Sequence, residues 1–210
     1  GAFDNEDYLW MKDYLQLDGM VYKLVPIRTP IDKEAGPMDM GQIDTDKMYA
    51  NVMKWDWGNS DSNKIYHDPE TRRNSITYRT NLARLMEKLI AEGKNDRAEN
   101  IIDLAMTKMP LDKFNYYSVI EPFAKGYYEI GKKEKARQLL EKLMTKYKEN
   151  LNYYGSLNPA DQSDIAIDVI TDIERYRSLL QVMKENGDMP FYNKNRAVFN
   201  TYIKMFEHFE

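Results

Sequence analysis

A mostly α fold is predicted, made of antiparallel helix pairs stacked in a right-handed superhelix behind an irregular N-terminal arm that holds a short strand. Three observations carry this. The run Glu92 to Met106 (Glu-Gly-Lys-Asn-Asp-Arg-Ala-Glu-Asn-Ile-Ile-Asp-Leu-Ala-Met) returns 38 residues later as Ile130 to Met144 (Ile-Gly-Lys-Lys-Glu-Lys-Ala-Arg-Gln-Leu-Leu-Glu-Lys-Leu-Met), and self-similarity of this kind marks stacked helical repeats. In both copies a Gly, able to take the left-handed conformation that ends a helix, precedes a charged turn that opens the next one. Apolar residues then recur at helical spacing on both sides of each Gly.

In chain order, residues 1–43 read as an extended arm and loop. Met20-Val21-Tyr22-Lys23-Leu24-Val25 favours a short strand through its β-branched and aromatic residues, and Pro26 and Pro30 exclude a regular helix after it. Ile31 to Gly41, with Gly36-Pro37, reads as a loop. Residues 44–68 read as a helix plus a Trp-rich loop. Asp44 can cap the helix, its apolar face is Met48, Val52 and Trp55 with Tyr49 and Met53 beside them, and it should stop by Gly58.

Residues 69–210 read as a helical-repeat domain of three pairs. Asp68-Pro69-Glu70 opens the first helix, and Tyr78, Leu82, Leu85, Met86 and Leu89 mark its face up to Gly93. Its partner carries Ala98, Ile101, Ile102, Ala105 and Met109 before Pro110 closes it. These residues match the tetratricopeptide consensus, so the repeats are expected to be tetratricopeptide-like, with Ala98 and Ala136 where paired helices approach most closely. In the second copy Ile120, Phe123, Ala124 and Tyr127 answer for the first helix and Ala136 and Leu140 for the second, while Leu143 and Lys148 replace Ala105 and Pro110. Leu111 to Phe114 reads as a loop that absorbs the extra length, and Ser118 with Glu121 as a capping box with Pro122 in the first turn. Asn158-Pro159 opens one long helix, with Ile165, Val169, Ile173, Tyr176, Leu180 and Met183 in register up to Gly187. Its partner follows Pro190 with Val198, Phe199, Tyr202, Ile203 and Phe206.

Composition excludes several functions. With 30 basic and 34 acidic residues the formal charge is -4, which gives no electrostatic ground for nucleic acid or an anionic membrane. Arg72-Arg73 and Lys132-Lys133 are short clusters of the solvated-surface kind. No run of apolar residues suits a membrane span or a signal peptide, so no direct membrane insertion is expected. The Gly1-Ala2 start reads as the scar of an expression tag on an excised fragment. Without cysteine there is no disulfide, thiolate metal site or thiol nucleophile. His67 and His208 lack the partners a zinc site needs, no serine sits in an elbow motif, and no glycine-rich phosphate loop occurs. No catalytic residue, metal or cofactor is therefore assigned.

The most unusual stretch is Trp55-Asp56-Trp57-Gly58-Asn59-Ser60-Asp61-Ser62-Asn63, two tryptophans in a polar, turn-forming run. The tryptophans could stack on a sugar ring or dock a partner; the oxygen-bearing side chains could hold a cation; or the aromatics could pin the loop onto the helices. Asn59, Asp61, Asn63 and Glu70 fall at positions 1, 3, 5 and 12 of a calcium loop, but Lys64 stands where that loop requires Gly. Pinning is the reading the residues favour. Trp55, Asp56, Trp57, Asn59, Tyr66, Arg72 and Arg73 are the candidate binding residues. Tyr116-Tyr117, Tyr127-Tyr128 and Tyr153-Tyr154 read as packing between pairs, with an aromatic groove for a peptide or glycan as the alternative.

Three runs carry a resemblance: Asp18-Gly19-Met20-Val21-Tyr22-Lys23-Leu24-Val25-Pro26, Met48-Tyr49-Ala50-Asn51-Val52-Met53-Lys54-Trp55-Asp56-Trp57-Gly58 and Arg72-Arg73-Asn74-Ser75-Ile76-Thr77-Tyr78-Arg79. The chain resembles the C-terminal soluble part of bacterial multi-spanning membrane proteins regarded as GT-C glycosyltransferases, similar to protein O-mannosyltransferases. The resemblance implies a tetratricopeptide-like tail on the periplasmic side of the inner membrane, acting as a non-catalytic accessory or interaction domain. The catalytic acid of such enzymes lies in a membrane domain outside this sequence. Expected partners are that membrane domain and an acceptor protein or glycan. The alternative is a free-standing adaptor for a peptide or protein, and a hydrolase built on carboxylates is a third class.

Overall fold

The computed structural model describes residues 9–28 and 41–209. They fall into two compact units divided between Val119 and Ile120. The division lies inside the stretch 69–210 and groups the N-terminal strands and the Trp-rich loop with the first helix pair.

In the first unit a 3-10 turn (Leu9–Tyr14) leads into β1 (Leu15–Asp18), which pairs antiparallel with β2 (Val21–Leu24), Leu15 facing Leu24 and Asp18 facing Val21. Gly19, at φ +68°, opens the two-residue turn between them, the place where such hairpins demand a positive φ. The strand expected around Met20 to Val25 is thus present as β2, at one edge of the sheet, and β3 (Gln42–Ile43) runs parallel to β1 on its other side, giving the order β2-β1-β3. Most of the loop expected from Ile31 to Gly41 lies outside the described residues.

Helix α1 (Thr45–Val52) begins as expected, the Asp44 carboxylate accepting from the Lys47 N–H at 3.1 Å. It ends sooner than the apolar spacing implied, and Trp55 lies past it, its N–H donating to the Val52 carbonyl in a turn. Helix α2 (Pro69–Ala91) starts on Asp68, which accepts from the Thr71 N–H at 2.9 Å, with Pro69 in the first turn. It packs along α3 (Asn95–Lys108). Leu82, Leu85, Leu89, Ala98, Ile101, Ile102 and Ala105 are fully buried between and beneath them, each large aliphatic contributing about 1.5–3 kcal/mol.

Leu111 to Phe114 corrects one expectation. It is a helical turn, α4 (Leu111–Phe114), not a loop, because Leu111 and Phe114 are both buried and four residues of helix let both point to one side.

The second unit holds α5 (Glu121–Glu129), α6 (Lys133–Gly155), α7 (Pro159–Asp164), α8 (Ala166–Glu185) and α9 (Met189–Met205). Helix α5 packs on α6, α6 on α8, and α8 on α9. The Ser118/Glu121 capping box does not form: Tyr117–Ile120 is a 3-10 turn and α5 starts on Ile120. A cap at Ser118 would have required the first helical hydrogen bond from Pro122, which has no N–H; starting at Glu121 places Pro122 in the first turn, where none is needed. Glu121 instead accepts from the Ser178 hydroxyl at 2.7 and 2.8 Å. The single long helix after Asn158 is likewise two, broken at Ile165 (φ −111°, ψ 18°). Asp161, Asp164 and Asp168 are like charges at helical spacing, and α7 buries no residue that would hold it in line. Helix α9 starts at Met189, one residue before Pro190.

One turn recurs. After α2 the Gly93 N–H bonds the Ile90 carbonyl (2.9 Å) and the Lys94 N–H the Leu89 carbonyl (2.8 Å); Gly131 and Lys132 do the same to Tyr128 and Tyr127, and Gly187 and Asp188 to Lys184 and Met183. This is the Schellman motif. The residue after each Gly starts the next helix with nearly the same dihedrals, φ/ψ of −85°/54° at Lys94, −89°/55° at Lys132 and −85°/58° at Asp188. The third copy differs in charge. Asp188 is fully buried, its two oxygens each 2.7 Å from an Arg137 guanidinium nitrogen, with Lys133 at 3.2 Å and the Tyr128 hydroxyl at 2.9 Å.

Candidate binding cleft

Past α1 the chain is folded on itself by its own polar groups. Asp56 accepts from the Gly58 N–H (2.9 Å), Gly58 and Asn59 both take positive φ, and the Ser60 and Ser62 N–H groups bond back to Trp57 and Asn59. The Ser60 hydroxyl donates to the Lys108 carbonyl at 2.6 Å, one of the carbonyls that α3 leaves without a helical partner. His67 is buried, stacked 4.2 Å from the Phe114 ring, and its Nε2 lies 2.8 Å from the Ser60 carbonyl, so that nitrogen carries the proton. Packing and hydrogen bonds therefore hold the loop. Asp61 pairs with Lys108 at 3.4 Å, and among the described residues no group of three or more His, Cys, Asp or Glu is placed to hold a metal.

The tryptophans have different tasks. Trp55, Trp57 and Tyr78 form one aromatic cluster, with centroids 5.5 Å apart for the two indoles, 5.7 Å for Trp55 and Tyr78 at 83°, and 6.0 Å for Trp57 and Tyr78. Trp55 also lies against the hairpin turn so closely that a Cβ on Gly19 would sit 2.5 Å from its Cζ2. The Asn81 amide donates to the Gly19 carbonyl at 2.8 Å, and the Asn51 amide to both oxygens of Asp18 at 2.8 and 2.9 Å. The hairpin is thereby fastened to α1 and α2.

Between the hairpin turn, the Trp loop and α2 lies a cavity of about 640 Å³, within the usual size of a small-ligand pocket. Helix α2 presents Thr71, Asn74, Ser75 and Tyr78 to it, positions i, i+3, i+4 and i+7 of one face. Met109 and Phe114 line its other side. Of the candidate residues, Trp55, Asp56 and Trp57 line it. Asn59 is exposed at the turn, Tyr66 is 78% exposed with the Arg72 guanidinium 5.5 Å over its ring, Arg72 Nε donates to the His67 carbonyl, and Arg73 is exposed; none of these four lines the cavity. The signal that would have found Asn74 and Tyr78 was helical phase: counted from Thr71, they share a face that Arg72 and Arg73 do not.

Two charged groups frame the electrostatics. Burial works against the charged form of Asp18, but Lys23 and Asn51 outweigh it and hold the carboxyl below its ordinary range. Under the cavity Arg79 is fully buried, donating to the Met109 carbonyl (2.7 Å) and the Asn115 carbonyl (2.6 Å), and burial lowers its pKa to about 10, still charged at neutral pH. Arg79 was not singled out from sequence, since an arginine next to Tyr78 on a helix gives no hint of burial.

Fold and cleft define a mostly helical protein with a small N-terminal sheet and an aromatic cleft between hairpin, loop and helix. Residues 1–47 match the family model of TMEM260-associated domain 2, a span that ends within α1 and includes the hairpin but not the Trp loop. No curated protein and no solved structure matches the chain.

Proposed function

We propose that this chain is a non-catalytic accessory or interaction domain of a membrane-embedded glycosyltransferase of the GT-C type, similar to protein O-mannosyltransferases. Its helix pairs are tetratricopeptide-like, it lies on the periplasmic side of the inner membrane, and the aromatic cleft is where it binds. The observation that carries this reading is the use of polar groups in the cleft. Glycosidic acid–base chemistry takes two carboxyl groups that act together. Here Asp18 is committed to Lys23 and Asn51, which leaves Asp56. This use of its polar groups supports recognition as the role of the cleft. The match of residues 1–47 coincides with the first of the resembling runs, Asp18 to Pro26, and supports the family side of the reading.

On this reading the reacting groups belong to the membrane domain of the parent protein, and this domain braces it or recruits an acceptor. The test is sugar transfer in membranes by the full-length protein with Trp57→Ala. Trp57 is the residue to change, because Trp55 also supports the hairpin turn and its loss would disturb the fold. Transfer is expected to fall with Trp57→Ala, and the isolated chain is expected to transfer none. Transfer by the isolated chain, or full activity of the variant, would overturn the proposal.

A further inference from the structure

We infer that the cleft takes a neutral pyranose unit of a glycan, an inference that rests on reading the cleft as a binding site. Its polar atoms divide into two sets. Asp18, Ser60, Thr71, Ser75 and His67 are spent on the protein itself: on Lys23 and Asn51, on the Lys108 carbonyl, on the Asp68 carboxylate, on the Arg72 carbonyl and on the Ser60 carbonyl. The second set is uncommitted. Asp56 uses Oδ1 on Gly58 and keeps Oδ2, while the Asn74 amide and the Tyr78 hydroxyl make no hydrogen bond among the described residues. A carboxylate oxygen accepts, an amide accepts and donates, and a phenol does either, which is the complement that vicinal hydroxyls require.

Charge and ring geometry narrow the ligand. No Lys or Arg lines the cavity, so a phosphate or an acidic peptide would enter it against Asp56 with nothing to pair. A quaternary or lysyl ammonium needs a cage of separated rings. These rings instead pack on one another, with centroids 5.5–6.0 Å apart and planes inclined at 52–83°, which encloses no cage and leaves single ring faces for contact. An electron-rich aromatic face beside a few directional polar groups suits the C–H face and the hydroxyl edge of a sugar ring.

The experiment is NMR titration of the purified chain with a panel of neutral hexose and N-acetylhexosamine trisaccharides, beside choline and a displayed peptide library. The Trp57 indole N–H, assigned through Trp57→Phe, and the Asn74 side-chain amide are followed. Saturable shifts of both with a trisaccharide are expected, weakened about tenfold or more by Trp57→Ala, read at the Asn74 amide, and by Asn74→Ala, read at the Trp57 indole, with thermal unfolding unchanged in the Asn74 variant. Asn74 is exposed, so its variant tests the site even where the tryptophan variant perturbs folding. Response to choline or to peptides but to no saccharide would overturn the glycan inference and leave the binding reading standing. Silence of the whole panel, with full-length Trp57→Ala still active, would remove both.

Discussion

Asp188 stands where Lys94 and Lys132 stand in the other two turns, and the exchange of sign is matched by Arg137, Lys133 and Tyr128 around it. Arg137 above all, with Tyr128 and Lys133, outweighs the cost of burial and holds its carboxyl well below the ordinary range. A carboxyl so depressed stabilises the fold fully above the unfolded-chain value of about 3.9 and loses that contribution as pH falls towards the folded-state value. Asp188→Asn should therefore destabilise by about 1–3 kcal/mol at neutral pH, because it removes the anion that Arg137, Lys133 and Tyr128 surround while Arg137 and Lys133 keep some access to solvent. In urea melts the gap to wild type should close as pH drops below about 4. Asp172 has the opposite sign. Burial raises its carboxyl despite Asn150, Arg175 and Tyr154, so its neutral form suits the fold, and its contribution is present at low pH and lost as pH rises. Asp172→Asn keeps an acceptor for the Asn150 amide, and the melting temperature should rise at neutral pH with no gain in acid.

At the scale of elements, a single residue sets helix length. Pro110 follows α3, which stops at Lys108 after 14 residues, whereas Lys148 stands in its place in α6 and that helix runs 23 residues to Gly155. Tyr147 and Leu151 are buried along the added turns. The small residue at the start of each second helix is equally specific: Ala98 and Ala136 are fully buried. Ala98→Leu is expected to overpack α2 against α3 and cost on the order of 1–3 kcal/mol, read as a lower denaturation midpoint with unchanged helix content by circular dichroism. Gly19→Ala tests the hairpin contact. A methyl there meets the Trp55 ring in a backbone conformation hostile to side chains, which should cost on the order of 1–3 kcal/mol and shift the tryptophan emission.

For the whole chain, what was legible in sequence is what local periodicity encodes. The Gly turns, the Asp44, Asp68 and Asn158 caps and the buried stripes of α2, α3, α5 and α6 follow from spacing alone. Events with no local signal were missed: β1 and β3 are short and are set by pairing, the break at Ile165 reflects missing tertiary support, and Arg79 is buried by carbonyls contributed 30 and 36 residues away. The cleft was half legible. Its tryptophans stand out by composition, but Asn74 and Tyr78 join them only once α2 has a face turned to the loop. The division at Val119/Ile120 makes a further prediction, since a compact unit with its own core folds alone. Residues 120–210 expressed separately should give a helical spectrum and one cooperative melt, and a non-cooperative melt would show the division to be geometric only.

The Asn81 to Gly19 hydrogen bond spans 62 residues of chain, whereas the α2/α3 turn closes within a few. Helix hairpins form early and distant pairings late, so the cleft is the part of its unit expected to assemble last and to open first. Amide hydrogen exchange should be faster across β1 and β2 than in the middle of α2 and α3. Anything that settles against Trp57 while the hairpin is seated will slow that exchange. Occupancy of the cleft can thus be measured at the strands, without knowing in advance what occupies it.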